Sequence, residues 1–419
     1  MRVLYFIPRY DSAAMGNRIH TEVIAEWRRH GVQAEVLALA AGTTQVTTTE
    51  EEGVSVHRLP VSAGIAKVAN RAVGSLLPYP YLAGAIRHFR PFIRQRQCDL
   101  IHIETAFPLG LVAALGSGPD TPPLAVTLPG ADIMAEPDYD YGYGRYRVVR
   151  SLLPWIFQRA LLLRADSPQI RDLAIRLGAK PETVTTIPYN ITADSFPPAD
   201  IPLDTFRRQA REALVTRYSL DPQRPIVVSL NRLHPFKGIA YLVEALPFAR
   251  EAGLWPQVLI VGPNRSTPRF GDYGAFLRKR SDELGVADDI HLTGGIPHHE
   301  AMMHLAGADA AVIPSVAESF SRVVIEAAAV GTPPIVTRTT GASAYVAEQQ
   351  AGMVVDPRSG PAIAAALATL LRDRRVWEEH SRRAAALAPA FSSARIAADL
   401  LTLYQGALAD RQPLSSRNH

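Results

Sequence analysis

Two patterns of apolar and polar positions alternate along the chain. Short runs rich in β-branched residues, "RVLYF", "AEVLAL", "DLIHI" and "PLAVTL", are separated by longer segments whose apolar residues recur with helical spacing. The alternation resumes with "PIVVSL", "QVLIVG", "DIHLTG", "DAAVIP", "PPIVT" and "GMVVDP". Runs apolar on both faces, with helices between them, predict parallel sheets covered on each side. Between the two series, residues 187–204 read "IPYNITADSFPPADIPLD", a stretch of prolines and turn formers with the composition of a linker. The pattern predicts two doubly wound α/β, Rossmann-like domains over 1–190 and 205–388, joined by a linker at 191–204. A helical tail follows over 389–419, with "SSARIAADLLTLYQGAL" suited to packing on either domain. Ligands of open α/β sheets sit beyond the carboxyl ends of the strands, so residues just after strands matter most. With two such domains, the space between them is the default site.

Composition narrows the class. A chain of 419 residues, 47% apolar and 20% charged, suits two folded cores rather than a disordered polymer. A formal net charge of +4 is too small to argue for nucleic acid, and none is expected as a partner. The single cysteine, Cys98, excludes an internal disulfide and suits a reducing compartment. The opening "MRVLYFIPRYDS" has an early arginine and an apolar run, but Pro8 and Arg9 end that run after about five residues. A buried first strand is expected there, not an export leader. No run approaches the roughly 20 apolar residues of a spanning helix. The expectation is a cytoplasmic protein, peripheral at the inner face of the plasma membrane if its basic segments bind lipid.

Those segments are uneven in charge. Residues 53–98 hold Arg58, Lys67, Arg71, Arg87, Arg90, Arg94 and Arg96 and no acid; residues 141–165 hold Arg145, Arg147, Arg150, Arg159 and Arg164 and again no acid. Both carry leucines and aromatics. They read either as core-packed helices with a basic outer face or as attachment to an anionic membrane surface or acceptor.

After "PIVVSL" comes "NRLHPFKG", which sets Arg232 and Lys237 at a strand end, before a helix. Arginine presents a planar fork to phosphate oxygens and lysine a compact point charge. The alternative is a solvated loop with ordinary charges. Further on, "SVAESFSRVVIEA" places Glu318 in a loop after a strand and Glu326 one to two turns into the following helix. The free N–H groups near Ser319, Phe320 and Ser321 suit an anion or hydroxyl. Glu318 reads either as an acceptor for sugar hydroxyls or as an acid complementing the helix dipole. Glu326, among apolar neighbours, is better explained by a ligand such as a ribose diol, because a desolvated carboxylate needs partners.

These residues carry a resemblance. "NRLHPFKG" is similar to G-R-L-x-x-x-K-G, and "ESFSRVVIEA" to E-G-F-G-x-x-x-x-E-A, of the retaining, GT-B-fold glycosyltransferases of the large family 4 (glycosyl transferases group 1) type. That family includes sucrose synthases and many bacterial envelope mannosyl- and glucosyltransferases. "DLIHIETAFP", "VTLPGADI", "DSPQIRDLAIRLGAKPETVTTIPYN" and "GTPPIVT" extend the likeness in order over nearly the whole chain. The resemblance implies a GT-B fold and an enzyme moving a hexosyl-type unit from a nucleoside-diphosphate sugar to a glycan, lipid or small-molecule acceptor. It implies retained anomeric configuration and a place in envelope polysaccharide or glycolipid synthesis. Arg232 and Lys237 would hold the diphosphate and stabilise it as leaving group, Glu326 would bind the ribose and Glu318 the donor sugar. Backbone amides from Ser319 to Ser321 would orient hydroxyls or phosphate, and Gly16 would let backbone approach the phosphates. The closing helix would return to the first domain.

Four departures stand out. The family's T-x-H-G histidine, which faces the donor sugar, is Pro129, leaving His102 and Asp132 as candidate sugar or acceptor contacts. Glycines of E-G-F-G are Ser319 and Ser321; Arg322 adds a cation; and the usual N-G before the second domain is Tyr189-Asn190. "DYD" at Asp138–Asp140 mimics a metal-binding D-x-D but follows no apolar strand, and "HHE" at His298–Glu300 is read as a solvated helix start rather than zinc ligands. No metal or other cofactor is expected. The rival readings are a degenerate nucleotide-sugar-binding partner subunit, a nucleotide-sugar epimerase and a phosphorylase of similar architecture. An NAD-dependent enzyme lacks its G-x-G-x-x-G.

Overall fold

Every run that the pattern marks as a strand is one. The structure, a computed structural model, describes residues 1–12, 14–61, 77–79, 81–264 and 266–411; Lys67 and Arg71 of the first basic segment lie outside these. The chain divides into two units. One holds Met1–Tyr189 together with the helix Ser393–Arg411, and the other Asn190–Ser392.

The first unit is built on an eight-stranded sheet of β1 (Arg2–Phe6), β2 (Gln33–Ala40), β3 (Thr47–Glu51), β4 (Val54–Pro60), β5 (Leu100–Glu104), β6 (Leu124–Leu128), β7 (Leu162–Ala165) and β8 (Val184–Thr186). Its order is β3-β4-β2-β1-β5-β6-β7-β8, parallel except where β3 runs antiparallel to β4. β3, "TTTEE", is an exposed, charged edge strand, and that polarity blunts the open edge. β7, "LLRA", lies inside what reads as one basic helical run. The helix Arg147–Arg159 instead ends at Ala160, whose backbone is extended. Trp27 is fully buried under the C-terminal helix, its indole N–H donating to Ala397 O (3.0 Å), and Ile396, Leu400 and Tyr404 complete that packing.

The second unit holds six strands, β9 (Ile226–Leu230), β10 (Gln257–Val261), β11 (Ile290–Gly294), β12 (Ala310–Ile313), β13 (Pro334–Thr337) and β14 (Met353–Val355). All are parallel, in the order β11-β10-β9-β12-β13-β14. β10, β12 and β13 are buried along their whole length, as strands covered on both faces should be. The stretch after Tyr189 is not a loose tether. Ile191 N–H donates to Phe391 O (2.9 Å), the Thr192 hydroxyl to Asp194 (2.5 Å), and Ser195 meets His298 Nε2 at 3.2 Å, so residues 190–202 belong to the second unit.

Each sheet reverses its strand order once. β1 lies between β2 and β5, and β9 lies between β10 and β12. Crossovers leaving these points in opposite directions part the loops at the strand carboxyl ends, which opens a crevice there. In the second unit the parted loops are those after β9 and β12.

Candidate functional site

The loop after β9 continues the pairing with its neighbour: Asn231 N–H donates to Val261 O (2.9 Å) and Leu233 N–H to Pro263 O (3.0 Å). Asn231 and Leu233 are thereby buried and Arg232, between them, is exposed. His234 starts the tight turn Pro235–Lys237, its Nδ1 accepting from Phe236 N–H (3.2 Å). Gly238 follows at φ +67°, and a Cβ there would lie 2.0 Å from Pro314 O. Only glycine allows this approach, which presses the turn against the end of β12. Lys237 consequently forms an ion pair with Glu318, 81 residues further along, and the two side chains are 13% and 12% exposed.

The loop after β12 is tied to the one after β13. Glu318 N–H donates to Thr339 O (3.1 Å), Gly341 N–H to Glu318 O (3.0 Å) and Ala342 N–H to Phe320 O (2.9 Å). The hydroxyls of Thr337 and Thr339 both donate to Ser315 O, at 2.6 and 3.0 Å. Ser319 and Phe320 are buried, with the Phe320 ring against Tyr345 and Phe391. Ser321 takes φ +72°, ψ 90° and starts the helix Arg322–Ala329 without a side-chain cap. Glu326 on that helix is only 5% exposed, and the structure gives its carboxylate no hydrogen bond or ion pair among the described residues. A carboxylate on so buried a residue, with no protein donor among the described residues, leaves its remaining accessible face to solvent or to donors from a ligand. Arg232, Lys237, Glu318 and Glu326 thus all belong to the two segments that follow the strands flanking the switch point.

In the first unit Gly16 lies exposed in the turn Met15–Asn17 after β1, and a Cβ there would meet nothing within 4 Å. Asp132 is buried in the loop after β6, accepting from Ala106 N–H (2.6 Å) and Gly130 N–H (3.1 Å). Burial pushes its carboxyl up to about 7 despite those two donors. Pro129, two residues before Ala131, is half-buried.

His102 is 1% exposed. Its Nε2 meets Glu104 Oε1 at 2.9 Å and Thr127 Oγ1 at 3.1 Å, and its Nδ1 is bonded to the Tyr404 hydroxyl. Because the carboxylate can only accept, Nε2 carries the proton and Tyr404 donates to Nδ1. Both ring nitrogens are therefore occupied inside the core, and the expectation of a sugar or acceptor contact at His102 meets no open face. Glu104 also accepts from Tyr5 and from Tyr189 (2.6 Å). Burial alone would raise Glu104, but the hydrogen bond from His102 and the neighbouring His20 and Arg164 hold it well below the usual carboxylate range. Burial also lowers His102 and keeps it neutral. Sequence reading missed Glu104. Its signal was the spacing in "HIE", which puts His102 and Glu104 on one face of β5.

Asp138 lies in the turn Pro137–Tyr139, and Asp140 ends that turn at φ +53°. His298 faces Ser195 and Asp194, while Glu300 pairs with Arg217 (2.6 Å). Among the described residues no group of three or more His, Cys, Asp or Glu side chains is placed to hold a metal ion, and no helix is long and apolar enough to cross a membrane.

Two family models match the chain. "Glycosyl transferases group 1" covers residues 211–388 and "Glycosyl transferase 4-like domain" residues 15–190. The chain is 31% identical over 258 residues to D-inositol 3-phosphate glycosyltransferase of Corynebacterium glutamicum, a match spanning 60% of this chain and 58% of that protein. It is 30% identical over 293 residues to the GDP-mannose-dependent alpha-(1-6)-phosphatidylinositol monomannoside mannosyltransferase of Mycobacterium tuberculosis, across 68% of this chain and 70% of that one. Sucrose-phosphate synthase from Thermosynechococcus elongatus superposes with a TM-score of 0.75 at 21% identity, over 98% of this chain and 99% of that chain. Anabaena HepE in complex with UDP and glucose gives 0.71 at 18% identity, over 97% and 100%.

Proposed function

This chain belongs to the glycosyl transferases group 1 family of GT-B-fold glycosyltransferases, and from that premise we propose that it moves a hexosyl-type unit from a nucleoside-diphosphate sugar to an acceptor hydroxyl. Retention of anomeric configuration follows the family resemblance. The observation that carries the reading is Glu326, a buried carboxylate with no protein partner among the described residues, on the helix that follows the Glu318 loop. A ribose diol supplies the two donors it lacks.

Arg232 and Lys237 take the diphosphate. Lys237 has three N–H donors, so it keeps Glu318 as a neighbour while giving a phosphate oxygen a second hydrogen bond. Glu318 accepts from hydroxyls of the donor sugar, and the backbone of Ser319, Phe320 and Ser321 lines the same segment. In the first unit, Gly16 after β1 carries no side chain to keep a phosphate from its backbone. As the glycosidic bond breaks, negative charge grows on the departing diphosphate, and fixed cations lower that barrier without a metal ion. Pro129 has no hydrogen-bonding side chain, and Asp132 is the nearest buried carboxyl in that loop, held by two backbone amides.

The relatives named for inositol phosphate and phosphatidylinositol mannoside support a polyol or glycolipid acceptor of the cell envelope. Basic helix faces of the first unit support work at an anionic membrane surface on the cytoplasmic side. A thermal-shift screen of UDP-, GDP-, ADP- and dTDP-sugars tests the reading, since a ligand that binds only the folded state raises its melting temperature. One donor class is expected to raise it in the wild type and to fail in Glu326→Ala. The proposal is wrong if no nucleotide-sugar shifts either protein. Hydrolysis or isomerisation of the donor with no acceptor would favour the epimerase alternative; donor binding with no transfer would favour the partner subunit.

A further inference from the structure

The second unit carries a cavity of about 790 Å³ away from the loops described above. Two helices line it. Leu203–Tyr218 presents Asp204, Arg207, Arg208 and Arg211, positions that share one helix face, and Arg374–Leu387 presents Arg374, Trp377, Glu378 and Arg382, likewise along one face. Asp309, which immediately precedes β12, lies at its floor, so the cavity opens at the amino ends of the strands, opposite the nucleotide-binding loops.

Five arginines meet three acids there, and most of the acid charge is committed. Asp309 accepts from Arg211 (2.7 Å) and from Ile226 N–H (2.8 Å), and Glu378 pairs with Arg374 within its own helix (2.9 Å). Arg207 is the unusual member. Its guanidinium donates to Val330 O (2.7 Å), Ala308 O (2.8 Å) and Thr332 Oγ1 (2.5 Å), all neutral acceptors, and it forms no ion pair among the described residues. It stacks on Trp377 at 5.1 Å, and Arg374 covers the same indole at 4.2 Å. Burial pulls the Arg207 guanidinium down to about 10. Arg207 is half-buried, bonded directly to neutral acceptors with Asp309 and Asp204 nearby, and five arginines against three acids leave the lining net positive, a field that a mobile anion can neutralise. Arg208 and Arg382, both exposed and with no salt bridge among the described residues, stand on the two facing helices as the remaining forks.

We propose that this cavity is a second, non-donor binding site for a small soluble phosphate-bearing anion, gripped by Arg208 and Arg382 over a floor made positive by Arg207. The chemistry is oxyanion recognition by planar guanidinium forks. An apolar guest is disfavoured, because two arginines already cover the Trp377 faces. The site would also be felt elsewhere in the unit. Arg207 bonds the carbonyl of Val330, the residue that ends the helix bearing Glu326, and Asp309 abuts the strand that leads into the Glu318 loop.

Inorganic pyrophosphate is the probe, titrated calorimetrically at low ionic strength into the full chain. Because pyrophosphate also suits Arg232 and Lys237, the titration is run on the wild type, on Arg232→Ser/Lys237→Ala, and on Arg208→Ser/Arg382→Ser. The first double variant should still bind about one equivalent. The second should lose that equivalent, with affinity down about tenfold or more, as expected for two lost charge-assisted contacts, while its circular dichroism and its response to the nucleotide-sugar stay those of the wild type. No binding by Arg232→Ser/Lys237→Ala, or the wild type's full stoichiometry and affinity retained by Arg208→Ser/Arg382→Ser, would overturn the proposal. Neither outcome bears on the donor site, which is tested by Glu326.

Discussion

Ser321 adopts φ +72°, a conformation that a side chain disfavours and glycine tolerates, and its hydroxyl caps nothing. The related motif has glycine there, so the sequence marked the position as a departure but not as a strained one. Replacing Ser321 with glycine should stabilise the protein by about 1 kcal/mol in chemical denaturation; a loss of stability would show that the serine makes a compensating contact. Asp132 gives a second residue-scale expectation. Its carboxyl is raised from 3.8 to about 7 by burial, so folding favours its neutral form. Stability from this group is fully present below about pH 4 and is lost as pH rises through about 7. Between those limits the wild type should lose stability relative to Asp132→Asn by on the order of 3 kcal/mol. Parallel stability curves for the two proteins between pH 4 and 8 would contradict the assignment.

At the scale of elements, the strands that read clearly are those apolar on both faces. β10, β12 and β13 are buried throughout, and nothing but a covered parallel sheet accommodates "QVLIV", "AAVI" and "PIVT". β3 escaped because "TTTEE" is polar on every face, and its strand character comes from pairing with β4. β7 escaped because "LLRA" continues the apolar rhythm of the helix before it, and only the extended backbone at Ala160 separates them. In the candidate site, R-x4-K and E-x7-E were legible as patterns. The Lys237–Glu318 ion pair was not, because it depends on the approach of Gly238 to Pro314, a tertiary contact. Each basic segment contributes one described amphipathic helix, while Arg58 lies on β4 and Arg164 is buried on β7. Leu82–Arg94 buries Leu82, Ala85, Phe89, Phe92 and Ile93 and exposes Arg87, Arg90 and Arg94; Arg147–Arg159 exposes Arg147 and Val148 and sets Arg159 over Trp155 at 5.0 Å. Faces of this kind hold anionic lipid by charge, with a contribution on the order of 1 kcal/mol per basic residue near the surface. Cosedimentation with phosphatidylglycerol vesicles should be substantial at low salt, fall as salt is raised, and drop in Arg87→Ser/Arg90→Ser/Arg94→Ser. Absence of vesicle binding at low ionic strength would leave these helices as packed elements with a solvated face.

For the whole molecule, the two units are built alike but closed differently. The second is a continuous stretch of chain, whereas the first takes its last helix from the far end of the sequence. That helix covers Trp27 and brings Tyr404 to His102, so the polar core around Glu104 is completed by residues some 300 positions apart. Periodicity alone left the tail free to pack on either domain, because an apolar helix face does not name its partner. The functional account rests on the second unit, where the strands beside the switch point deliver Arg232, Lys237, Glu318 and Glu326 to one end of the sheet. Its central claim is that these residues hold a nucleoside diphosphate. Calorimetric titration of UDP, GDP, ADP and dTDP into the wild type, Lys237→Ala and Glu326→Ala tests it most directly. One nucleotide should bind the wild type and weaken about tenfold or more in each variant, as losing a hydrogen bond to a charged group requires, with both variants folded by circular dichroism. Equal affinity in all three proteins would contradict the account.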